Sequence, residues 1–311
     1  MIQVKNLSRK YGGFTAVHNL SFEVPKGQIV GLLGHNGAGK TTTLKMLTGY
    51  LEPTNGDISI GGLDLEDNRH QIQARLGYLS ESSPLYPDMP VWQYLNYVAE
   101  LRSIEEHKRP QAVREALEAT DMLDKGMQDI CTLSRGYQQR LGVAQAIIHK
   151  PEILILDEPT NGLDPTQIFA MRQLIKNLAK SSTVIISTHI MQEVEAICDR
   201  VLIILDGKIA VDSSLEDLQT NNTIELRLKQ PYEEVSSILA KIKGVDSVEQ
   251  VSSRDNLFDY RLKVSESTNS FTPKIARSIF DQGWDVYRIN SEQKTLEEVF
   301  REVNSLGGMK S

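Results

Sequence analysis

Apolar residues in the first two thirds of the chain fall into short unbroken runs that alternate with stretches of helical periodicity. Clear examples are "ILIL" at 153–156, "VII" at 184–186 and "VLIIL" at 201–205. A strand that is buried on both faces of a sheet gives an unbroken run, whereas a half-exposed strand alternates apolar and polar residues. Such runs beside helices are typical of α/β domains, so the pattern predicts an α/β fold that ends near residue 215.

The pattern changes after "SSLEDLQTNN" at 213–222. We predict a strand at 223–228, a helix at about 232–243, strands at 245–251 and 258–264, a helix at about 272–282 and a strand at 285–290. This order is that of the split βαβ, ferredoxin-like arrangement. The chain is therefore expected to form two domains, 1–215 and 216–311. The second is a small α+β ferredoxin-like domain with a terminal helix in "TLEEVFREV" and a mobile tail, "NSLGGMKS".

Composition places the chain among ordinary globular proteins and disfavours some partners. Its 311 residues include 34 Lys and Arg against 41 Asp and Glu, a formal net charge of -7. No long-range field therefore attracts nucleic acid or acidic lipid. Cys131 and Cys198 lack metal-ligand spacing, and we interpret them as buried structural thiols in a reducing compartment. The apolar runs are too short to cross a bilayer, so we expect that the chain does not enter a membrane by itself.

The strongest chemical signal is "GLLGHNGAGKTTTL", in which an apolar strand leads into Gly34, four further residues, Gly39, Lys40 and Thr41, and then a helix. This is a complete P-loop. Its glycines let successive backbone N–H groups face phosphates, the lysine reaches the β- and γ-phosphates, and the threonine hydroxyl binds Mg²⁺. The alternative is a plain glycine-rich turn, which the strand before it and the helix after it disfavour.

Two further apolar runs end in groups suited to phosphate chemistry. "PEILILDEPT" ends its run at Asp157 and Glu158, and acids at the end of a buried strand are costly unless they have a role. Placed beside the P-loop strand, Asp157 would hold Mg²⁺ and Glu158 would act as general base toward a water. "TVIISTHI" presents His189, suited to a γ-phosphate oxygen or that water. The alternatives are a solvated strand end for the acids and an ordinary loop position for the histidine.

A second anion site is indicated by "LSRGYQQRL" at 133–141. Ser134, Arg135 and Gly136 open a helix there, and a helix start offers free N–H groups and the positive end of its dipole. The alternative for Ser134 is a simple N-cap. Near the amino terminus, Tyr11 in "SRKYGGFTAV" lies where its ring can stack on a nucleotide base.

With these motifs in this order, residues 1–215 resemble the ATP-binding subunit of an ATP-binding-cassette (ABC) transporter. The resemblance implies a P-loop NTPase cassette with a mixed sheet and a helical subdomain. It makes Tyr11 the adenine-stacking aromatic, "LSRGY" the signature motif, "ILILDEP" the Walker B strand, "NGLD" with Asp164 the D-loop and "STH" the switch histidine. The Walker A loop then supplies Gly34, Asn36, Gly37, Ala38, Gly39, Lys40, Thr41 and Thr42. The C-terminal region with "TLEEVF" is similar to exporter ATPases of the drug-resistance, sodium-efflux and gliding-motility type.

The resemblance also implies cofactors and partners. Two cassettes pack head to tail, so each ATP, with Mg²⁺, lies between the P-loop of one subunit and Ser134 and Gly136 of the other. We expect a homodimer, separate transmembrane permease subunits and a location at the cytoplasmic face of the membrane, without nucleic acid. The alternative is a soluble ABC-type ATPase that acts on nucleic acid or ribosomes. Such proteins usually carry two cassettes or a long coiled coil, and this sequence has one cassette.

The sequence departs from the commonest family pattern at three positions. Arg135 and Tyr137 stand in the signature motif where glycine and glutamine are usual. Arg135 would either attract phosphate or extend to solvent. Glu81, in "LGYLSESSPLYPDM", replaces the glutamine of the Q-loop, and we predict that it contacts the metal or a water. The aromatics of "YPDMPVWQYLNYVAEL" suit either a docking site for the membrane subunit or ordinary helix packing.

Overall fold

A computed structural model of the protein describes residues 1–82, 84–219, 222–254, 256–265, 268–291 and 295–307. The chain forms two compact units, Met1–Leu215 and Glu216–Ser311. The strands of the first unit are β1 (Ile2–Tyr11), β2 (Phe14–Val24), β3 (Ile29–Leu33), β4 (Asn55–Ile60), β5 (Leu63–Asp64), β6 (Leu76–Leu79), β7 (Ile153–Asp157), β8 (Thr183–Thr188), β9 (Arg200–Leu205) and β10 (Lys208–Ser214). Its helices are α1 (Lys40–Leu47), α2 (Arg69–Gln73), α3 (Val91–Leu101), α4 (Arg109–Ala119), α5 (Arg135–Ile147), α6 (Pro165–Ala179) and α7 (Met191–Ile197). Helix α8 (Leu215–Gln219) begins at the boundary between the units.

The apolar runs form the centre of a mixed six-stranded sheet with the order β10-β9-β3-β8-β7-β6. Strands β3, β7 and β8 are buried along their whole length, as unbroken apolar runs predict. We predicted that the strand before Asp157, β7, lies beside the P-loop strand, β3. This is wrong, because β8 lies between them and pairs with both in parallel. All three strands contain an apolar run and are buried throughout, so hydrophobicity alone does not specify which are neighbours. The carboxyl ends of the three strands nevertheless meet at one edge of the sheet.

A second sheet in the same unit is antiparallel, with the order β2-β1-β4-β5. Alternate residues of β1 such as Ile2 and Val4 are buried, and they pack in a core shared with α1 and the six-stranded sheet. Strands β1 and β2 form a hairpin in which Tyr11 pairs with Phe14. This hairpin brings Tyr11 to an exposed tip rather than into the core.

Helices α3, α4 and α5 build a helical layer with its own apolar core. In α3, Val91, Tyr94, Leu95 and Ala99 are buried at helical spacing, which accounts for most of the apolar pattern of this segment by ordinary packing. Tyr97 stays exposed, and its ring meets that of Tyr86 edge to face at 6.0 Å. This leaves an exposed aromatic pair beside the buried stripe.

The second unit contains β11 (Thr223–Leu228), α9 (Tyr232–Leu239), β12 (Val245–Arg254), β13 (Leu257–Val264), α10 (Thr268–Asp281), β14 (Arg288–Ser291) and α11 (Leu296–Gly307). Its sheet has the order β12-β13-β11-β14 with antiparallel pairs throughout, which is the split βαβ topology. Residues of α9 and α10 join the sheet in one apolar core. The segment predicted as a mobile tail is 304–311. Its first four residues belong to α11, which continues to Gly307, and residues 308–311 lie outside the described residues.

The interpretation of both cysteines as buried is wrong for Cys131, which is exposed, while Cys198 is partly buried. Burial raises the pKa of the Cys198 thiol, and the nearby acids Asp199 and Glu193 raise it further. In the part of the chain that the structure describes, the helices are all too short or too polar to span a membrane.

His149 follows α5 and is held in its neutral form by its surroundings. Its Nε2 lies 3.1 Å from the carbonyl oxygen of Leu76 in β6, while Nδ1 has no hydrogen-bond partner among the described residues. Burial, followed by the positive charge of Arg102, lowers the pKa of His149 to about 4. A second proton on this ring would be buried at Nδ1 without an acceptor.

We expect the protein to lose stability as the pH falls from about 6.5 toward 4, because the unfolded chain binds a proton at His149 that the folded chain does not. The slope from this group is at most about 1.4 kcal/mol per pH unit, and solvent near the ring reduces it. Urea unfolding at several pH values measures it. His149→Gln keeps an N–H for Leu76 but cannot titrate, so it should flatten the dependence, whereas the exposed control His107→Gln should not. An unchanged slope in His149→Gln would contradict the assignment.

Candidate functional site

The P-loop turns between β3 and α1 in a conformation that its glycines make accessible. Gly39 has a φ of 103°, in the left-handed region that favours glycine. A Cβ at this position would lie 2.6 Å from the carbonyl oxygen of Ala16, so the loop also needs a residue without a side chain. Asn36 and Gly37 form the exposed tip of the loop, and Ala38 is buried beneath it. Thr42 follows in the first turn of α1.

Lys40 is the first residue of α1, and its ammonium group lies inside the loop. Nζ donates to the carbonyl oxygen of Gly34 at 2.8 Å and to that of His35 at 3.2 Å. It also lies 3.6 Å from Oε1 of Glu158, and both side chains are almost fully buried. A buried cation with backbone acceptors and a facing carboxylate is held at a defined place, so the loop carries a fixed positive charge.

Asp157 ends β7 and is completely buried. Its Oδ1 accepts a hydrogen bond from the hydroxyl of Ser187 in β8 and lies 3.4 Å from Oγ1 of Thr41 in α1. Its Oδ2 has no hydrogen-bond partner among the described residues. A carboxylate with a free buried oxygen beside a hydroxyl suits Mg²⁺, which favours one or two protein oxygens together with phosphate and water. Thr41 and Asp157 therefore fit a magnesium ion.

Glu158 lies between Lys40 in the loop and His189 after β8. One carboxylate oxygen faces Lys40, and the other, Oε2, lies 3.0 Å from Nδ1 of His189. The backbone N–H of Glu158 donates to the carbonyl oxygen of Ser187 at 3.1 Å, and its φ of 50° is unusual for a residue with a side chain. Because β7 and β8 are neighbours, the acid and the histidine meet. The carboxylate is therefore positioned as a proton acceptor between a cation and an imidazole.

Ser187 and Phe14 are not singled out by any sequence motif. Ser187 is fully buried and binds Asp157 and the backbone of Glu158; its place two residues before His189 in the strand was the available signal. At the tip of the first hairpin, Tyr11 and Phe14 are both exposed, and the guanidinium carbon of Arg9 lies 4.9 Å above the Tyr11 ring. This cation-π contact supports one face of the ring.

The signature segment lies at the start of α5. Ser134 is the N-cap residue, but its side chain makes no cap hydrogen bond, so the simple N-cap alternative is not what the structure shows. Gly136 is buried in the first turn. The ring of Tyr137 packs against the core of the helical layer, with Lys125 Nζ and Arg140 Cζ at 5.3 and 5.8 Å from its centroid. Ser134 is exposed at the start of the helix, and its hydroxyl does not cap it.

Asp164 and Glu81 were predicted to contact nucleotide and metal, respectively. Asp164 caps α6, because its Oδ1 accepts a hydrogen bond from the backbone N–H of Gln167 at 2.9 Å; a role toward nucleotide stays a prediction. Glu81 lies in an exposed turn after β6. Within the described residues no three His, Cys, Asp or Glu side chains gather into a metal-binding group, so the metal contact of Glu81 also stays a prediction. Burial, then the charges of Asp157 and Glu81, raises the pKa of Tyr78.

Comparison with known proteins gives matches in both sequence and fold. The family model for ABC transporters matches residues 17–161. Over 99% of its length the chain is 34% identical to the bacitracin transport ATP-binding protein BcrA of Bacillus licheniformis, of which the match covers 98%. The near-complete cover means that the likeness extends through both compact units.

Among solved structures, an ATP-binding subunit of an ABC transporter has a TM-score of 0.64 at 29% sequence identity, over 70% of this chain and 92% of that chain. The dimeric structure of MJ0796, a bacterial ABC transporter cassette, has a TM-score of 0.64 at 24% identity, over 69% of this chain and 98% of that chain. At that identity the second likeness shows the fold alone.

Proposed function

Because this chain belongs to the ATP-binding subunits of ABC transporters and has their ATPase fold, we propose that it powers an exporter through ATP-driven dimerisation of two cassettes. The observation that carries the proposal is the position of Glu158, held between Lys40 at 3.6 Å and His189 at 3.0 Å. A carboxylate placed in this way beside a P-loop suits the activation of water for attack on a γ-phosphate.

In the proposed reaction, the N–H groups of the P-loop and the ammonium of Lys40 bind the phosphates of ATP. Thr41 and Asp157 hold Mg²⁺, which, when bound, neutralises charge on the phosphates. Glu158 accepts a proton from the attacking water while the water oxygen bonds to the γ-phosphorus. The bond between that phosphorus and the oxygen of the leaving ADP breaks. His189 orients Glu158 and the γ-phosphate. The ring of Tyr11, supported by Arg9, stacks on the adenine.

The second half of each site is proposed to come from the other cassette. Ser134 presents an unused hydroxyl at the start of α5, and the N–H of Gly136 and the helix dipole add favourable interactions with an anion. These groups would bind the γ-phosphate of the partner's nucleotide. ATP would then hold the dimer together, and hydrolysis would release it.

The partners follow from the same proposal. The relative from Bacillus licheniformis is a bacitracin transport protein, which supports export of a drug-like compound by separate permease subunits. The exposed rings of Tyr86 and Tyr97 offer a docking surface of the type that interfaces favour. The subunit would then be peripheral at the cytoplasmic face of the membrane. Copurification with an integral membrane protein, rather than with RNA or DNA, would distinguish this function from a nucleic-acid ATPase.

The test of the shared site is the mass of the Glu158→Gln protein by light scattering, with and without ATP and Mg²⁺. We expect ATP to convert a monomer of 34.9 kDa into a dimer. Ser134→Arg in the same background should prevent the conversion, because a long side chain would occupy the phosphate position, whereas Ser237→Arg on the exposed face of α9 should not. A protein that binds ATP and remains a monomer would count against ATP-driven dimerisation of the isolated subunit.

A further inference from the structure

Arg135, the residue that departs from the usual signature, contacts the loop between β7 and α6. Its guanidinium lies against Gly162, where a Cβ would be 2.7 Å from Nε and 2.5 Å from Nη1. Gly162 has a φ of 74°, a backbone conformation that favours glycine, and a side chain at this position would also require the end of Arg135 to move. Arg135 is exposed to solvent, as one of the two alternatives from the sequence expected, and its guanidinium also packs on a loop of its own subunit.

The next residue of α5 makes a second contact with the same region. A Cβ on Gly136 would lie 2.7 Å from Cδ of Gln167 and 2.9 Å from each atom of its terminal amide. Gln167 is the residue whose backbone and side chain form the capping box with Asp164. Two successive residues of the signature motif thus pack against the D-loop segment and the first turn of α6.

The D-loop segment is joined in turn to the general base. The backbone N–H of Asn161 donates to the carbonyl oxygen of Glu158 at 3.1 Å, and that of Leu163 donates to Thr160 at 3.1 Å. A short hydrogen-bonded turn therefore connects Gly162 to Glu158. The contact of Arg135 with Gly162 and this turn together form a continuous series of contacts from the start of α5 to Glu158.

The contact is one of shape rather than of charge. Arg135 forms no hydrogen bond or ion pair with other residues that the structure describes, so its planar group packs on the glycine backbone. We propose that Arg135 is a positioning residue that couples the signature motif to the D-loop, so that the two ATP sites respond together. This inference rests on the proposed dimer, because the signature of one subunit binds the nucleotide whose P-loop belongs to the other.

The test is a double-mutant cycle of Arg135→Ala and Gly162→Ala, read as kcat, KM and Hill coefficient for ATP hydrolysis. Arg135→Ala should lower the Hill coefficient toward about 1 and reduce kcat by roughly threefold or more, while KM changes little because the P-loop and Tyr11 are intact. Gly162→Ala should reduce kcat about tenfold in the parent but only two- to threefold in Arg135→Ala, where the added methyl group no longer meets the guanidinium.

Two controls separate shape from charge and from general damage. Arg135→Lys keeps the charge but not the planar group, so it should behave like Arg135→Ala. Arg114→Ala, on the exposed face of α4, should match the parent in every measurement. Thermal unfolding of Arg135→Ala should differ from the parent by no more than a few degrees, as expected for a surface substitution.

Several results would overturn the inference. If the two substitutions lower kcat by independent factors, the contact between Arg135 and Gly162 does not contribute to catalysis. If Arg135→Ala leaves the Hill coefficient unchanged, Arg135 does not couple the two ATP sites. Full rescue by Arg135→Lys would favour attraction to phosphate instead. If the Glu158→Gln protein with Arg135 intact dimerises with ATP while the double-mutant cycle gives either of these results, only the role of Arg135 is wrong. If that protein does not dimerise, the proposed function is at fault.

Discussion

Glu158→Gln is expected to slow ATP hydrolysis by about 10²- to 10⁴-fold, the contribution of a positioned general base, while ATP still binds. Glutamine has nearly the same shape, so its amide can occupy the place between Lys40 and His189. An amide cannot take up the proton of the attacking water. The rate should therefore fall at saturating ATP, with little change in affinity, because the phosphate-binding loop is unaltered.

Phosphate release at saturating ATP gives the rate, and calorimetric titration gives the affinity. The matched control is Glu152→Gln, because Glu152 is exposed just before the opposite end of the same strand, and its rate should equal that of the parent. His189→Ala should lie between the parent and Glu158→Gln, since it removes an orienting contact but leaves the acceptor. A Glu158→Gln protein that hydrolyses ATP near the parent rate would disprove the assignment of the base.

Lys40→Ala is expected to have the opposite signature, a loss of ATP binding by about 10- to 100-fold or more, in line with the loss of a charge-assisted hydrogen bond. The ammonium is held inside the loop by two carbonyl oxygens, so its position is fixed before any phosphate arrives. Its removal also leaves the buried carboxylate of Glu158 without a facing cation. Both effects weaken the binding of ATP itself, so the affinity for ATP should fall whether or not the rate of hydrolysis at saturating ATP also changes.

Calorimetric titration with ATP measures this loss directly. Lys45→Ala is the matched control, because Lys45 lies in the same helix and its ammonium is near the Tyr50 ring rather than the loop. Lys40→Arg is also informative, because a planar guanidinium does not fit the space of a compact ammonium and should not restore binding. ATP affinity close to that of the parent in Lys40→Ala would contradict the binding role of this lysine.

The family could be predicted, and the candidate site residues could be located, because both depend on short stretches of sequence. The resemblance to ABC transporter ATP-binding subunits is confirmed, and the glycines, the lysine and the two acids each lie next to the strand that positions them. The order of the strands could not be predicted in the same way. Three runs of similar hydrophobicity satisfy the same burial, and only the whole fold places β8 between β3 and β7.

Contacts between distant segments were also beyond the sequence. Nothing near Arg135 indicates that its guanidinium packs on Gly162, because that contact depends on how α5 meets the loop before α6. In the second unit, the observed strand Thr223–Leu228 has the predicted bounds, whereas α10 begins at Thr268, four residues early. The local signal there is Pro273, which lacks the N–H of a helix interior and so suggests a start close to itself.

The left-handed backbone of Glu158 has a consequence for the evolution of stability in this protein. A residue with a side chain is strained in that conformation by roughly 1–2 kcal/mol, and glycine or asparagine would relieve some of the strain. Either change would remove the carboxylate from between Lys40 and His189. That loss would also leave the buried ammonium of Lys40 without its facing carboxylate, which costs more free energy than the strain relieved. Stability and turnover therefore favour the same strained residue at this position.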